Sequence, residues 1–252
     1  MQLYFGFEDF PKDVATVVTV GSFDGVHAGH RVLLDRLRSL AQQHGARSVV
    51  VTFEPHPRIA MGRADGMGLL TTIEERAQLL EEVGVDYVVV AHFDEEFRNQ
   101  SFESFVRELL VAKLGMRALV VGYNHRLGRG NEGRYETLLP IAESCGFEIE
   151  RVEQHLATGA KVSSTVIRGE LERGDVLRAK ELMGHPYIIY GMAREGVVRP
   201  ENEHKLLPNS GSYMATITMV DSREVIDGLG VRIIDGMIRL DRPLTGAIII
   251  SI

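Results

Sequence analysis

With 252 residues, 44% hydrophobic and 25% charged, the chain has the composition of an ordinary globular protein and room for one large domain or two small ones. A formal net charge of −7 supplies no broad basic face for duplex nucleic acid, so a basic site has to be local and suited to a small anion. The single cysteine, Cys145, excludes an internal disulfide, is expected to pack at a helix end, and fits a reducing, cytoplasmic setting; no apolar run reaches the ~20 residues of a membrane span, and Phe10-Pro-Lys-Asp interrupts any leader-like stretch.

In chain order, Ala15–Val20 and Ser48–Phe53 are valine-rich runs expected as buried parallel strands. Between them Val32, Leu33, Leu37, Leu40 and Ala41 recur at helical spacing, with Gly45 just past the end. Thr72-Ile-Glu-Glu75 is a capping-box pattern opening a helix that runs to Gly84. Strands are expected at Asp86–His92, Arg117–Gly122 and Phe147–Val152, and helices at Ser101–Leu114, Glu136–Ser144, Thr165–Arg173 and Val176–Met183. Alternation of this kind implies a parallel sheet covered on both faces. From Gly184-His-Pro186 the helical period disappears. Short runs at Tyr187–Ala193, Ser212–Val220, Val231–Ile234, Met237–Leu240 and Ala247–Ile252 read as a small antiparallel barrel, and Asp235-Gly236 is a type I′ hairpin signal.

Chemistry concentrates in Gly21-Ser-Phe-Asp-Gly-Val-His-Ala-Gly-His30. Gly21 ends a strand, Gly25 and Gly29 would let a polyphosphate approach the main chain, and the following helix offers unpaired N–H groups to an anion. His27 and His30 are three residues apart, so both can face one side of a first helical turn and steady negative charge that grows on phosphate oxygens. Capping or metal-ligating histidines are the other readings, the second without a third ligand at suitable spacing. The motif is neither a dinucleotide fingerprint nor a Walker A loop.

The pattern Gly-x-Phe-Asp-Gly-x-His-x-Gly-His resembles the nucleotidyltransferase module of the bacterial bifunctional riboflavin kinase/FAD synthetase family. Thr52-Phe-Glu-Pro-His-Pro-Arg58, Val121-Gly-Tyr-Asn-His-Arg-Leu-Gly-Arg-Gly130, Val162-Ser-Ser-Thr-Val-Ile-Arg168 and Leu182-Met-Gly-His-Pro-Tyr187 are similar to further segments of that family in order and spacing, over about residues 15–190. His125 and Leu127 depart from it, standing where the family usually has aromatic residues.

The resemblance implies an α/β, Rossmann-like nucleotidyltransferase domain with a parallel sheet over residues 1–185, followed by a small β-barrel over 186–252. It also implies an FMN adenylyltransferase, converting ATP and FMN to FAD and pyrophosphate. His27 and His30 would bind the ATP phosphates, with Gly21, Ser22, Phe23, Asp24, Gly25 and Gly29 forming the turn. Ser163, Ser164, Thr165 and Arg168 would clamp the pyrophosphate, unless the hydroxyls merely cap a helix. His56 and Pro57 would stiffen a ligand loop or simply a turn. Asn124 and Arg126, with Arg129, would face the nucleotide or belong to a solvated basic loop. Mg²⁺ is expected to be held by the nucleotide rather than by a protein cage. ATP and FMN are the expected partners, without nucleic acid or membrane. The family's kinase hexad Gly-x-Pro-Thr-Ala-Asn is missing. Val197–Asn209 occupies its place, and the chain ends at Ile252 without the module's terminal segments. A barrel without kinase activity is therefore expected. A different acceptor or CTP, a non-catalytic flavin or nucleotide binder, and residual kinase activity are the rival readings.

Overall fold

A computed structural model describes residues 1–63, 66–123, 133–153, 156–157 and 160–252. The chain divides into two compact units interleaved in sequence. Met1–Phe23, Gly29–Asp65 and Ala77–Leu156 form the first, and Asp24–Ala28, Gly66–Arg76 and Ala157–Ile252 form the second.

The first unit is built on a six-stranded sheet in the order β1-β4-β3-β2-β5-β6. The strands are β1 (Gln2–Phe5), β2 (Thr16–Val20), β3 (Arg47–Glu54), β4 (Tyr87–His92), β5 (Met116–Gly122) and β6 (Glu148–Val152), and every pairing is parallel. All five residues of β2 are buried, which is what a strand covered on both faces demands; its valines supply the apolar run, and the buried Thr16 and Thr19 hydroxyls donate to the Leu114 and Val120 carbonyls. The connecting helices are α1 (Ala28–Gln43), α2 (Pro57–Ala60), α3 (Ile73–Val83), α4 (Glu95–Asn99), α5 (Phe102–Ser104) and α6 (Tyr135–Cys145). Leu34, Leu37, Leu40 and Ala41 form the buried stripe of α1. From β2 the chain builds outward through β3 and β4 on one side and through β5 and β6 on the other. The order therefore reverses beside β2, and the carboxyl ends of β2 and β5 flank the crevice where open α/β sheets bind ligands.

Two features of this unit differ from the sequence expectation. β1 extends the sheet beyond β4, pairing Gln2 with Tyr87 through Phe5 with Val90; its Phe5 is exposed, so it carries no buried-strand pattern. The expected helix over Ser101–Leu114 winds as a π-helix across Phe105–Lys113, with Leu114 N–H donating to the Leu109 carbonyl at 3.1 Å.

The short strand β7 (Leu156–Ala157) spans the last residue of the first unit and the first of the second; β8 (Ala160–Lys161), α7 (Ser164–Glu172) and α8 (Val176–Met183) follow in the second unit, and then a closed antiparallel barrel. Its strands β9 (Ile188–Arg194), β10 (Val197–Pro200), β11 (Gly211–Met219), β12 (Val225–Ile234), β13 (Met237–Leu240) and β14 (Gly246–Ser251) close in the order β10-β13-β12-β11-β14-β9. Ile189, Ala193, Val198, Ile217, Val231, Ile233, Ile238, Ile248 and Ile250 pack its interior. Asp235 and Gly236 both take positive φ, 48° and 75°, as a type I′ turn requires. β10 and the first half of β12 were not visible in the sequence. Gly228 and Gly230 interrupt the β-forming run of β12, and an added Cβ at Gly230 would fall 2.0 Å from Asp241 Oδ2, so close strand approach requires glycine there.

Candidate active site

In the first unit the conspicuous motif leaves the carboxyl end of β2. Gly21 N–H donates to the Val51 carbonyl at 3.0 Å and Thr52 Oγ1 donates to the Ser22 carbonyl at 3.1 Å, fixing the exit of the strand against β3. Phe23 takes a left-handed conformation (φ 47°) with its side chain buried. Its ring lies where a Cβ on Gly21 would come within 3.1 Å, and it packs against the His30 ring at 5.0 Å between centroids. Gly29 and His30 lie in the first turn of α1. At the end of β3, buried His56 caps α2, Nδ1 accepting from Arg58 N–H at 3.2 Å, with Pro57 as the first helical residue. A neutral His56 therefore carries its proton on Nε2.

The middle of the motif, Asp24–Ala28, belongs to the second unit. Asp24 is 1% exposed. Its Oδ1 accepts from Thr71 N–H (2.9 Å) and Thr71 Oγ1 (3.2 Å), and Oδ2 from Leu70 N–H (3.2 Å) and from Arg168 Nη2 in a buried ion pair. Burial alone would raise the Asp24 pKa. Arg168, Arg76 and the Thr71 and Leu70 amides outweigh it and hold the carboxyl below its ordinary range. With both oxygens so engaged, Asp24 is a structural acceptor and not an available metal ligand.

The turn is tight. Gly25 has φ 85°, and an added Cβ would sit 2.8 Å from Leu70 Cδ1. Leu70 thus occupies the side of Gly25 where a Cβ would stand. Val26 adopts φ 38°, strained for a β-branched residue, and strain of this kind concentrates at functional loops. Gly25 N–H donates to Thr71 Oγ1 at 3.0 Å, and His185 Nε2 lies 3.0 Å from the Gly25 carbonyl. His27, just before α1, is 7% exposed. Burial dominates its titration and lowers its pKa to about 4, with Asp24 opposing and His185 and Arg168 adding to the fall. At neutral pH it is an uncharged imidazole.

The Ser-Ser-Thr segment opens α7. Ser163 caps it, Oγ accepting from Val166 N–H at 3.4 Å, while Thr165 is exposed. Ser164 Oγ donates to the Asp24 carbonyl at 2.9 Å, and Arg168 Nε donates to the Gly68 carbonyl at 2.8 Å. Ser164 and Arg168 were expected on the pyrophosphate; here both bind the Asp24 turn or the segment beside it. Asn124 and Arg126, with His125, Leu127 and Arg129, lie outside the described residues. Among the described residues no group of three or more His, Cys, Asp or Glu side chains could hold a metal ion.

Sequence reasoning missed Thr71, Arg76 and His185. Thr71 precedes a recognisable capping box, with Thr72 N–H donating to Glu75 Oε2 at 2.8 Å, but nothing local signals that its amide serves an aspartate 47 residues away.

A doubly wound parallel sheet with its glycine-histidine turn leaving the switch-point strand is an α/β architecture of the nucleotide-site class. The model of a family described as FAD synthetase matches residues 10–166, and the chain belongs to that family. Three proteins described as bifunctional riboflavin kinase/FMN adenylyltransferase are similar to it. The Escherichia coli K12 protein is 35% identical over 180 residues, 71% of this chain and 58% of that protein. The Listeria monocytogenes protein is 32% identical over 213 residues, 80% and 67% of the respective chains. The Pseudomonas fluorescens protein is 33% identical over 230 residues, 91% and 71%. The chain thus spans under two thirds of the E. coli protein it matches. A crystal structure titled macrolide-efflux protein, from Streptococcus pneumoniae, shares the fold, with a TM-score of 0.82 at 20% identity over 99% of this chain and 89% of that one. Among the described residues no helix is long and apolar enough to cross a membrane.

Proposed function

We propose that the chain is an FMN adenylyltransferase. A phosphate oxygen of FMN attacks the α-phosphorus of ATP in line. The new P–O bond forms as the bond from the α-phosphorus to the bridging oxygen breaks, and pyrophosphate leaves with that electron pair. No protein nucleophile is needed, so the protein's work is positioning and charge stabilisation. Mg²⁺ would be held by the nucleotide phosphates rather than by a protein cage, and would supply neutralisation of phosphate charge.

The observation that carries this reading is the strained, fully anchored Asp24–His27 turn in a chain of the FAD synthetase family. Within it, His27 acts as a neutral N–H donor to a phosphate oxygen, and His30 as a second donor from the first turn of α1. The amides of Ser163, Ser164 and Thr165 face the leaving pyrophosphate. The proposed part of Ser164 and Arg168 is to fix the turn through Asp24. His56 and Pro57 shape the segment after β3, and Asn124 and Arg126, which follow β5 in sequence, would contact the nucleotide. The purified protein with ATP, Mg²⁺ and FMN is expected to form FAD. No FAD, or undiminished activity in His30→Ala, overturns the reading.

His125 and Leu127 favour a second reading, with another phosphorylated acceptor or CTP. Thermal stabilisation by such a ligand and none by FMN would select it. For the barrel we propose no riboflavin kinase activity, supported by Val197–Asn209 in place of the kinase hexad and by an interior filled with aliphatic side chains. Phosphorylation of riboflavin by the purified protein would overturn that.

A further inference from the structure

A second buried ion pair lies in the second unit, outside the groups assigned to the reaction. Lys205 Nζ and Glu75 Oε2 are 2.6 Å apart, and both side chains are wholly buried. A lysine ammonium has three protons to place, and the structure gives each an acceptor: Glu75 Oε2, the Leu70 carbonyl at 2.6 Å and the Ile188 carbonyl at 2.7 Å. The Tyr187 ring lies 4.2 Å from the same nitrogen. Burial pulls the Lys205 pKa down, while Glu75 and Asp24 favour its charge. Around it, residues 204–206 form a strap along residue 69. Leu69 N–H donates to the His204 carbonyl at 2.7 Å, and Leu206 N–H donates to the Leu69 carbonyl at 2.9 Å. Tyr187 OH secures the strap at the Leu206 carbonyl, 2.6 Å away. Glu75 Oε1 accepts from Tyr190 N–H at 2.8 Å.

The Leu70 residue is therefore gripped twice. Its carbonyl accepts from Lys205, and its N–H donates to Asp24 Oδ2. Thr71, next in sequence, donates its own N–H to Asp24 Oδ1 and accepts from Gly25 N–H through Oγ1. An unbroken run of short polar contacts leads from Lys205 through Leu70 and Thr71 to the turn that presents His27. A pair this buried is weak evidence of net stabilisation, which leaves its geometric effect as the reason to ask what it holds.

We propose that Lys205 is a positioning residue for nucleotidyl transfer, setting the Asp24–His27 turn through Leu70 and Thr71 without touching substrate. The kinetic part of this proposal rests on the adenylyltransferase reading. Its test uses the full chain carrying Lys205→Met with Glu75→Gln, which removes both charges together and leaves none unpaired. Tyr187→Phe loosens the same strap without altering a charge and serves as the milder variant if the double one does not fold. Three quantities are read: the melting temperature, kcat and KM for FAD formation, and deuterium uptake by peptides covering residues 22–28 and 68–72.

The expected result is kcat lower by about 10- to 100-fold in the double variant, and lower by less in Tyr187→Phe. KM for ATP is expected to stay within about twofold, since the loss is in transition-state positioning. Both peptides are expected to exchange faster in variants that still melt cooperatively. Wild-type kcat per folded molecule together with wild-type exchange overturns the proposal, because a merely structural pair would change only the melting temperature. A wild-type protein that makes no FAD refutes the adenylyltransferase reading instead, and the exchange comparison then decides the positioning role by itself.

Discussion

Asp24 and Arg168, 144 residues apart, meet as a buried ion pair in which the aspartate also collects the amides of Leu70 and Thr71. Pairing two buried charges adds little net stability, but removing one partner strands the other, at a cost of about 3–5 kcal/mol. Arg168→Met is expected to destabilise by that order in urea titration and to abolish FAD formation. Asp24→Leu combined with Arg168→Met is expected to regain part of the stability and none of the activity, because the Leu70 and Thr71 amides lose their acceptor.

His27 gives the protein an acid-side weakness. Its pKa is about 4 when folded and 6.5 for the free side chain. Between those values the unfolded chain binds a proton that the folded chain does not, so stability rises with pH there. This contribution is complete above about pH 6.5 and is lost as pH falls toward 4. A shift of this size corresponds to about 3 kcal/mol. Chemical denaturation at pH 7 and pH 4.5 is expected to show a loss that His27→Gln reduces. The lowered Asp24 pKa acts in a lower window. Its contribution is present above the ordinary aspartate pKa of 3.8 and is lost as pH falls through the folded value beneath it.

Gly25 is expected to reject even alanine. Its φ of 85° and the 2.8 Å approach of a new Cβ to Leu70 Cδ1 combine left-handed strain with overpacking, each costing about 1–3 kcal/mol. Gly25→Ala should lower the melting temperature. Gly45→Ala, at a left-handed position with nothing within 4 Å, should lower it less.

His30→Ala tests the charge-stabilising role apart from folding. Loss of one donor to developing charge typically costs about 10²–10³ in kcat. That loss in FAD formation is expected with KM for ATP changed less than kcat and with native circular dichroism. The His30 ring also packs on Phe23, so the spectrum is the control for a displaced aromatic.

The sheet, the α1 helix and the barrel are legible in sequence because burial on both faces writes valine runs into β2 and β3 and a leucine stripe into α1. The strands that escape are those whose sequences answer to other demands. β1 keeps Leu3 and Phe5 exposed, and β12 carries glycines where Asp241 crowds the backbone. The motif residues announced themselves, but their supports did not. Two of the four donors to the Asp24 carboxylate are backbone amides, and an amide looks the same in every residue. Lys205 reads as one more charge in a polar stretch until the fold gives its ammonium three acceptors.

The interleaving of the two units bears on how such a chain can be rearranged. By composition, Gly184-His-Pro186 is the natural place to cut it, to fuse it or to exchange its barrel with that of a relative. A cut there would separate Glu75 from Lys205 and Leu69 from His204 and Leu206, leaving a buried carboxylate without its counter-charge in the upstream fragment. Barrels are therefore interchangeable only together with the 24–28 and 66–76 segments. Inherited variation at Lys205, Glu75 and Thr71 is expected to travel as a set, even though a linear reading assigns these residues to different modules.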